Sequence, residues 1–154
     1  MQLVAAFGLT CATVFIHALG TTAAIAYLGP VWRRKAHPGL WASGVMIIHV
    51  VSTLLLLHLA EAGVWAVFFI ILGLLPDMET AIYFSITSYT TVGYGDVTLT
   101  APWLLLGPME AAVGILMFGW STGIMVAVIS RIHTERISLR TDQQTEGEVS
   151  SDTH

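Results

Sequence analysis

The sequence predicts an all-α membrane protein with three transmembrane helices and one re-entrant segment. Three observations carry that prediction. Of 154 residues, 55% are hydrophobic and only 10% charged, where a soluble domain carries about a quarter charged residues. Mean hydropathy is +0.77. The few charges are also clustered, which leaves long apolar runs between them. A soluble domain this short has to cover a large surface with polar groups, and this chain has too few.

Composition excludes other classes. The single Cys11 rules out a disulfide scaffold and says nothing of redox compartment. Six basic against ten acidic residues argue against a basic face for nucleic acid. Disorder is excluded for all but the tail. No catalytic set stands out, so the chain is read as no enzyme and as needing no cofactor.

The basic residues fall in two clusters, Arg33, Arg34 and Lys35, then Arg131, Arg136 and Arg140. Residues 1–32 hold no charge, and residues 41–130 hold no Lys or Arg but five acids, Glu61, Asp77, Glu79, Asp96 and Glu110. Apolar runs over 3–30, 40–75 and 103–130 remain. A crossing takes about 20 residues at about 1.5 Å each, so the first and third runs fit one crossing apiece. Basic short loops stay cytoplasmic. With both clusters inside, the stretch between them crosses out and back. The N-terminus and residues 76–102 are therefore expected outside, the C-terminus inside, in a multi-pass plasma-membrane protein. Trp32, Trp41 and Tyr27 flank the first cluster as an interfacial belt.

Each segment follows from this. Residues 1–32 are expected to be a retained helix and not a signal peptide, because the basic cluster follows the apolar run instead of preceding it. Residues 41–62 form the second crossing. Residues 63–75 either prolong it, with a kink at Gly63, or fold along the outer leaflet. Residues 103–131 form the third crossing. Residues 132–154, polar and acidic without apolar periodicity, read as a disordered cytoplasmic tail.

Residues 77–98 read DMETAIYFSITSYTTVGYGDVT. Asp77, after Pro76, can cap a short helix over 77–90, and Glu79 suits its first turn. Gly93 and Gly95 end it. The next five residues, Thr91-Val92-Gly93-Tyr94-Gly95, match the filter pentapeptide of potassium channels. An ion that sheds its water needs replacement oxygens, and backbone carbonyls serve if successive ones face one axis. That requires alternating backbone handedness, which glycine tolerates. Thr91 adds a hydroxyl, and the side chains of Val92 and Tyr94 pack behind, with Tyr83 or Phe84 within reach of Tyr94. Thr87 and Thr90 belong to the same support. Asp96, Asp77 and Glu79 make the outer mouth acidic and concentrate cations.

TTVGYGD resembles the selectivity filter of tetrameric potassium channels. The order of outer helix, short helix, TVGYGD and inner helix over 41–131 looks like the two-helix pore module of bacterial members. That resemblance implies K+ held at Thr91, Val92, Gly93 and Tyr94, with Gly95 completing the filter over 91–96. It also implies a homotetramer in membrane lipid around one central pore. Gly119, with Gly114 and Gly123 as rivals, is the implied gating hinge, and Ser121, Thr122 and Val126 the implied cavity lining. The chain departs from the family in its extra N-terminal helix and in Thr87, where some relatives carry a glutamate. It shows neither a voltage-sensor arginine series nor a regulatory domain.

Other readings stand beside this one. His17, His49 and His58 lie in apolar runs, as packing residues or as pH-sensitive groups; His58 and Glu61 share a helix face, as a proton- or divalent-sensing pair. Glu110 either complements a helix dipole or braces the filter from behind. A weakly selective cation channel or a non-conducting channel subunit would keep the same outline. A membrane haem protein with axial pairs among those histidines would leave TVGYG without a purpose.

Overall fold

With no charge from residue 1 to 32, the chain enters as a helix, the form that satisfies every backbone group internally in hydrocarbon. In the computed structural model the backbone is described for residues 1–34 and 40–151, and side chains for 1–27 and 41–134. Lys35 and the side chains of Arg33, Arg34, Arg136 and Arg140 lie outside the described residues. All regular structure among the described residues is helical: α1 (Gln2–Arg34), α2 (Leu40–Ile71), α3 (Met78–Tyr89) and α4 (Leu106–Ser151). Among the described residues, three stretches are long and apolar enough to cross a membrane, Gln2–Tyr27, Trp41–Ile71 and Leu106–Thr134.

One face of α1 is buried through Ala6, Leu9, Thr13, His17 and Thr21, and the rest of the helix exposes Leu3, Phe7, Phe15, Leu19 and Ile25. The buried face is small and polar instead of large and apolar. Its hydroxyls bond within the helix, Thr10 Oγ1 to the Ala6 carbonyl at 2.8 Å and Thr21 Oγ1 to the His17 carbonyl at 2.7 Å, so they cost little in lipid. α1 runs antiparallel to α2. Trp65 Nε1 donates to Thr13 Oγ1 at 3.0 Å near one end, and the rings of Tyr27 and His49 lie 6.0 Å apart near the other. Between them Gly20 admits Leu57, whose Cδ1 would stand 2.6 Å from an added Cβ.

α2 passes through Gly63 without a break and takes up most of residues 63–75 as far as Ile71. Its end is a Schellman motif. Gly73 has φ +64°, its N–H bonds to the Ile70 carbonyl at 2.9 Å, and the Leu74 N–H bonds to the Phe69 carbonyl at 2.9 Å. Pro76 then delivers Asp77 as N-cap of α3, with its carboxylate accepting from the Thr80 N–H at 2.8 Å.

α3 buries Ala81, Phe84, Ser85 and Tyr89, one stripe at helical spacing, between α2 and α4. Trp65, Phe69, Phe84 and Leu106 form the core there. After the filter the chain passes a cis Ala101–Pro102 bond and starts α4 at Leu106, three residues later than the sequence suggests. α4 continues to Ser151, through residues read from sequence as a structureless tail. Gln2 Oε1 accepts from the Leu105 N–H at 3.4 Å, so α1 begins at the same end of the bundle as α4.

Candidate functional site

The last turn of α3 sets up the loop that follows. Thr90 caps the helix. The N–H of Thr91 then bonds back to the Ser88 carbonyl at 2.9 Å, and that of Gly93 to the Thr87 carbonyl at 3.0 Å. Backbone donors are thus turned toward the helix. Positive φ recurs at alternate residues, Thr91 (63°), Gly93 (51°) and Gly95 (80°). Glycine takes that region without a Cβ penalty, whereas Thr91, a β-branched residue, is strained there. Sequence reasoning placed this freedom at the two glycines and missed Thr91, because nothing in a threonine announces it.

Residues 90–96 are all exposed in the single chain. Tyr94 stacks on Tyr83, with centroids 6.4 Å apart and planes 12° from parallel. The Tyr83 hydroxyl donates to Asp96 Oδ2 at 2.7 Å. That bond holds the Tyr83 phenol above its usual range. The Thr80 N–H, by contrast, holds the Asp77 carboxyl below its usual range. Phe84 does not stack on Tyr94; it turns inward, edge-on to Phe69 at 5.4 Å. Thr87 Oγ1 bonds to the Phe84 carbonyl at 3.0 Å and Thr90 Oγ1 to the Ile86 carbonyl at 2.6 Å, so both hydroxyls serve the helix. A cleft of about 410 Å³ lies between the loop and the start of α4, lined by Thr87, Gly93, Gly95, Leu104 and Pro108 among others.

α4 supports this from behind. Gly114 lies against the end of α3: an added Cβ would stand 2.0 Å from the Tyr89 carbonyl oxygen. Gly119 has no described atom within 4 Å of such a Cβ, and α4 passes it unbroken. Glu110 is fully buried and lies beyond the first turn of α4, so dipole complementation does not explain it. It meets Ser85, whose hydroxyl also donates to the Ala62 carbonyl at 2.5 Å. Its second oxygen has no hydrogen-bond partner among the described residues.

Further inward, His17, His58, Glu61, Tyr89 and Ser121 make a buried polar cluster from all four helices. Ser121 therefore does not face a cavity: its Oγ lies 3.3 Å from His17 Nε2 and 3.0 Å from His58 Nε2. Thr122 and Val126 are exposed, and His49 lies apart from the cluster beside Tyr27. The His17 and His58 rings are close, 5.3 Å between centroids, but both Nε2 atoms converge on one hydroxyl and leave no flat slot for a haem. Tyr89 was not singled out from sequence. The spacing of Thr13, His17 and Thr21 by fours, opposite a lone acid at Glu61, is the signal that could have found this face.

A family model described as "Ion channel" matches residues 53–131. No curated protein and no solved structure matches the chain.

Proposed function

The chain belongs to the ion-channel family, in its two-helix pore form, and from that premise we propose that it conducts potassium ions selectively and passively through a homotetrameric pore. The observation that carries the reading is the alternation of positive φ at Thr91, Gly93 and Gly95. Alternating handedness turns successive carbonyls the same way, where an ordinary strand points them left and right. Carbonyls of Thr91 to Tyr94 then replace the hydration shell of K+, and the N–H groups of Thr91 and Gly93 are already bound to α3.

One chain supplies one wall. Val92 and Tyr94 are 52% and 71% exposed, and non-helical backbone at membrane depth needs protein or a water path beside it. Four copies about one axis supply both, with closed cyclic symmetry. Asp96, held by Tyr83, and the acids of α3 give the mouth its negative potential. The mouth and the start of α1 share one end of the bundle through Gln2 and Leu105, and α1 ends at Arg34 and α4 reaches Arg131 toward the other. This supports an outside N-terminus, an outside mouth and a cytoplasmic C-terminus in the plasma membrane. Of the hinge candidates, Gly114 is packed against Tyr89, while Gly119 and Gly123 both have open surroundings; Gly119 stays the hinge we propose, with Gly123 as its rival.

Uptake of Rb+ into K+-loaded liposomes tests the reading. Purified protein should take up Rb+ and exclude Na+ and Li+. Gly95→Ala, which puts a Cβ on a residue at φ +80°, should abolish uptake. Equal passage of Na+ would support a weakly selective channel instead, and no uptake a non-conducting subunit.

A further inference from the structure

Behind α3, the buried cluster closes into a ring. His17 Nδ1 meets Glu61 Oε1 at 2.8 Å, and the Tyr89 hydroxyl donates to Glu61 Oε2. His58 Nδ1 meets the Tyr89 hydroxyl at 3.1 Å, and Ser121 Oγ joins the two Nε2 atoms at 3.3 and 3.0 Å. These are five contacts. With both imidazoles neutral and the carboxylate ionised, the two imidazoles and two hydroxyls bring four protons to them and the carboxylate none. One contact therefore has lone pairs on both sides. The carboxylate also carries its charge deep in an apolar bundle, in a stretch without Lys or Arg from 41 to 130. A cation at the centre would correct both.

We propose that His17, His58 and Glu61 bind a divalent transition-metal ion of the zinc class, with the Tyr89 hydroxyl beside the fourth position. Two imidazole nitrogens and a carboxylate oxygen form a donor set that zinc accepts. Magnesium and calcium ask for more, and harder, oxygen ligands. The three donor atoms lie within 4.8 Å of one another. A tetrahedral zinc with ligands at about 2.0–2.2 Å holds its donors roughly 3.3 Å apart. The widest pair therefore closes by about 1.5 Å at most, within the reach of side-chain rotation.

The outer contacts fit as well. Both Nδ1 atoms face the carboxylate, His58 Nδ1 lying 3.6 Å from Glu61 Oε2, and both Nε2 atoms face Ser121. With the metal on Nδ1, each Nε2 carries a proton and donates to Ser121 Oγ, whose two lone pairs take both. Tyr89 keeps its bond to the carboxylate. His58 retains a small exposed edge, 8% of its side chain. The site pins α1 to α2 beside Tyr89, two residues before the filter begins.

The test uses full-length protein in detergent, stripped with a chelator and dialysed against Zn2+. The unaltered protein should hold one Zn2+ per chain more than His17→Gln or His58→Gln, and His49→Gln should match the unaltered protein. Loss of a ligand should weaken that ion by about 100-fold or more, beyond the 10–100-fold lost with an outer partner. Zn2+ and not Mg2+ should raise the unfolding temperature of the unaltered protein, and His17→Gln should lose the rise. Co2+ in place of Zn2+ should give the intense visible bands of a four-coordinate site. Equal Zn2+ binding by all variants, or only the pale octahedral spectrum of Co2+, would overturn the proposal. The cobalt spectrum is read on unaltered protein, so a variant that fails to fold does not blunt the test. No readout involves ion flow, so the site and potassium selectivity stand or fall separately.

Discussion

Replacing Gly114 with alanine tests how α4 holds the pore helix. The added Cβ would lie 2.0 Å from the Tyr89 carbonyl oxygen and 2.9 Å from its carbon. Neither is the end of a flexible side chain. Tyr89 O belongs to the last turn of α3, fastened by the bonds of Thr90, Thr91 and Gly93 to the carbonyls of Ile86, Ser88 and Thr87. Relief therefore needs α4 to retreat by about 1 Å or more, which loosens packing at Leu106, Val113 and Met117. Overpacking of this kind costs about 1–3 kcal/mol, and rigid backbone on one side argues for the upper figure. At about 2–4 °C per kcal/mol for a chain of this size, the unfolding temperature should fall by roughly 6–12 °C. Gly119→Ala is the control. No described atom lies near it, so the substitution should be neutral or add about 0.5–1 kcal/mol of helix stability. Thermal unfolding in detergent reads both. If Gly114→Ala unfolded at the same temperature as the unaltered protein, the close approach of α4 to Tyr89 would be refuted.

Other substitutions probe separate joints. Thr13→Val leaves the buried Trp65 N–H without its acceptor and should cost about 1–3 kcal/mol, read by the same unfolding assay. Glu110→Gln keeps the shape and an amide facing Ser85, so stability should change by less than about 1 kcal/mol. Glu110→Ala removes a fully buried side chain and should cost about 2 kcal/mol or more. Asp77 has its carboxyl held below its ordinary value of 3.8 by the Thr80 N–H. A lowered folded-state value means that its contribution is full above 3.8 and is lost as pH falls through the lowered value. Asp77→Asn should therefore make the acid limb of a stability–pH profile shallower and leave the slope of the neutral region unchanged.

Charge placement made the fold readable. With every Lys and Arg confined to two clusters, only helices could fill the runs between them, and three long apolar helices are found. The course of residues 63–75 stayed open in the sequence because GVWAVFFIILGLL is apolar all round. A helix extension and an interfacial segment have the same composition; Gly73 at φ +64° closes α2 instead. The filter residues were legible as a motif, and the glycines as the positions that need a left-handed backbone. Thr91 was not, since its strain comes from the bonds behind it. The polar cluster was half legible. His58 and Glu61 are neighbours along one helix, but His17, Tyr89 and Ser121 join them only through helix packing. Ser121, read as lining a cavity, faces inward because it shares a side of α4 with Gly114 and Met117.

The central claim is that four copies of one short backbone stretch replace the water of a potassium ion. Reversal potentials of the reconstituted protein in planar bilayers, under opposed K+ and Na+ gradients, test it most directly. The account predicts a reversal close to the potassium equilibrium potential, unmoved when Na+ is raised on either side. A reversal midway between the potassium and sodium values would contradict it.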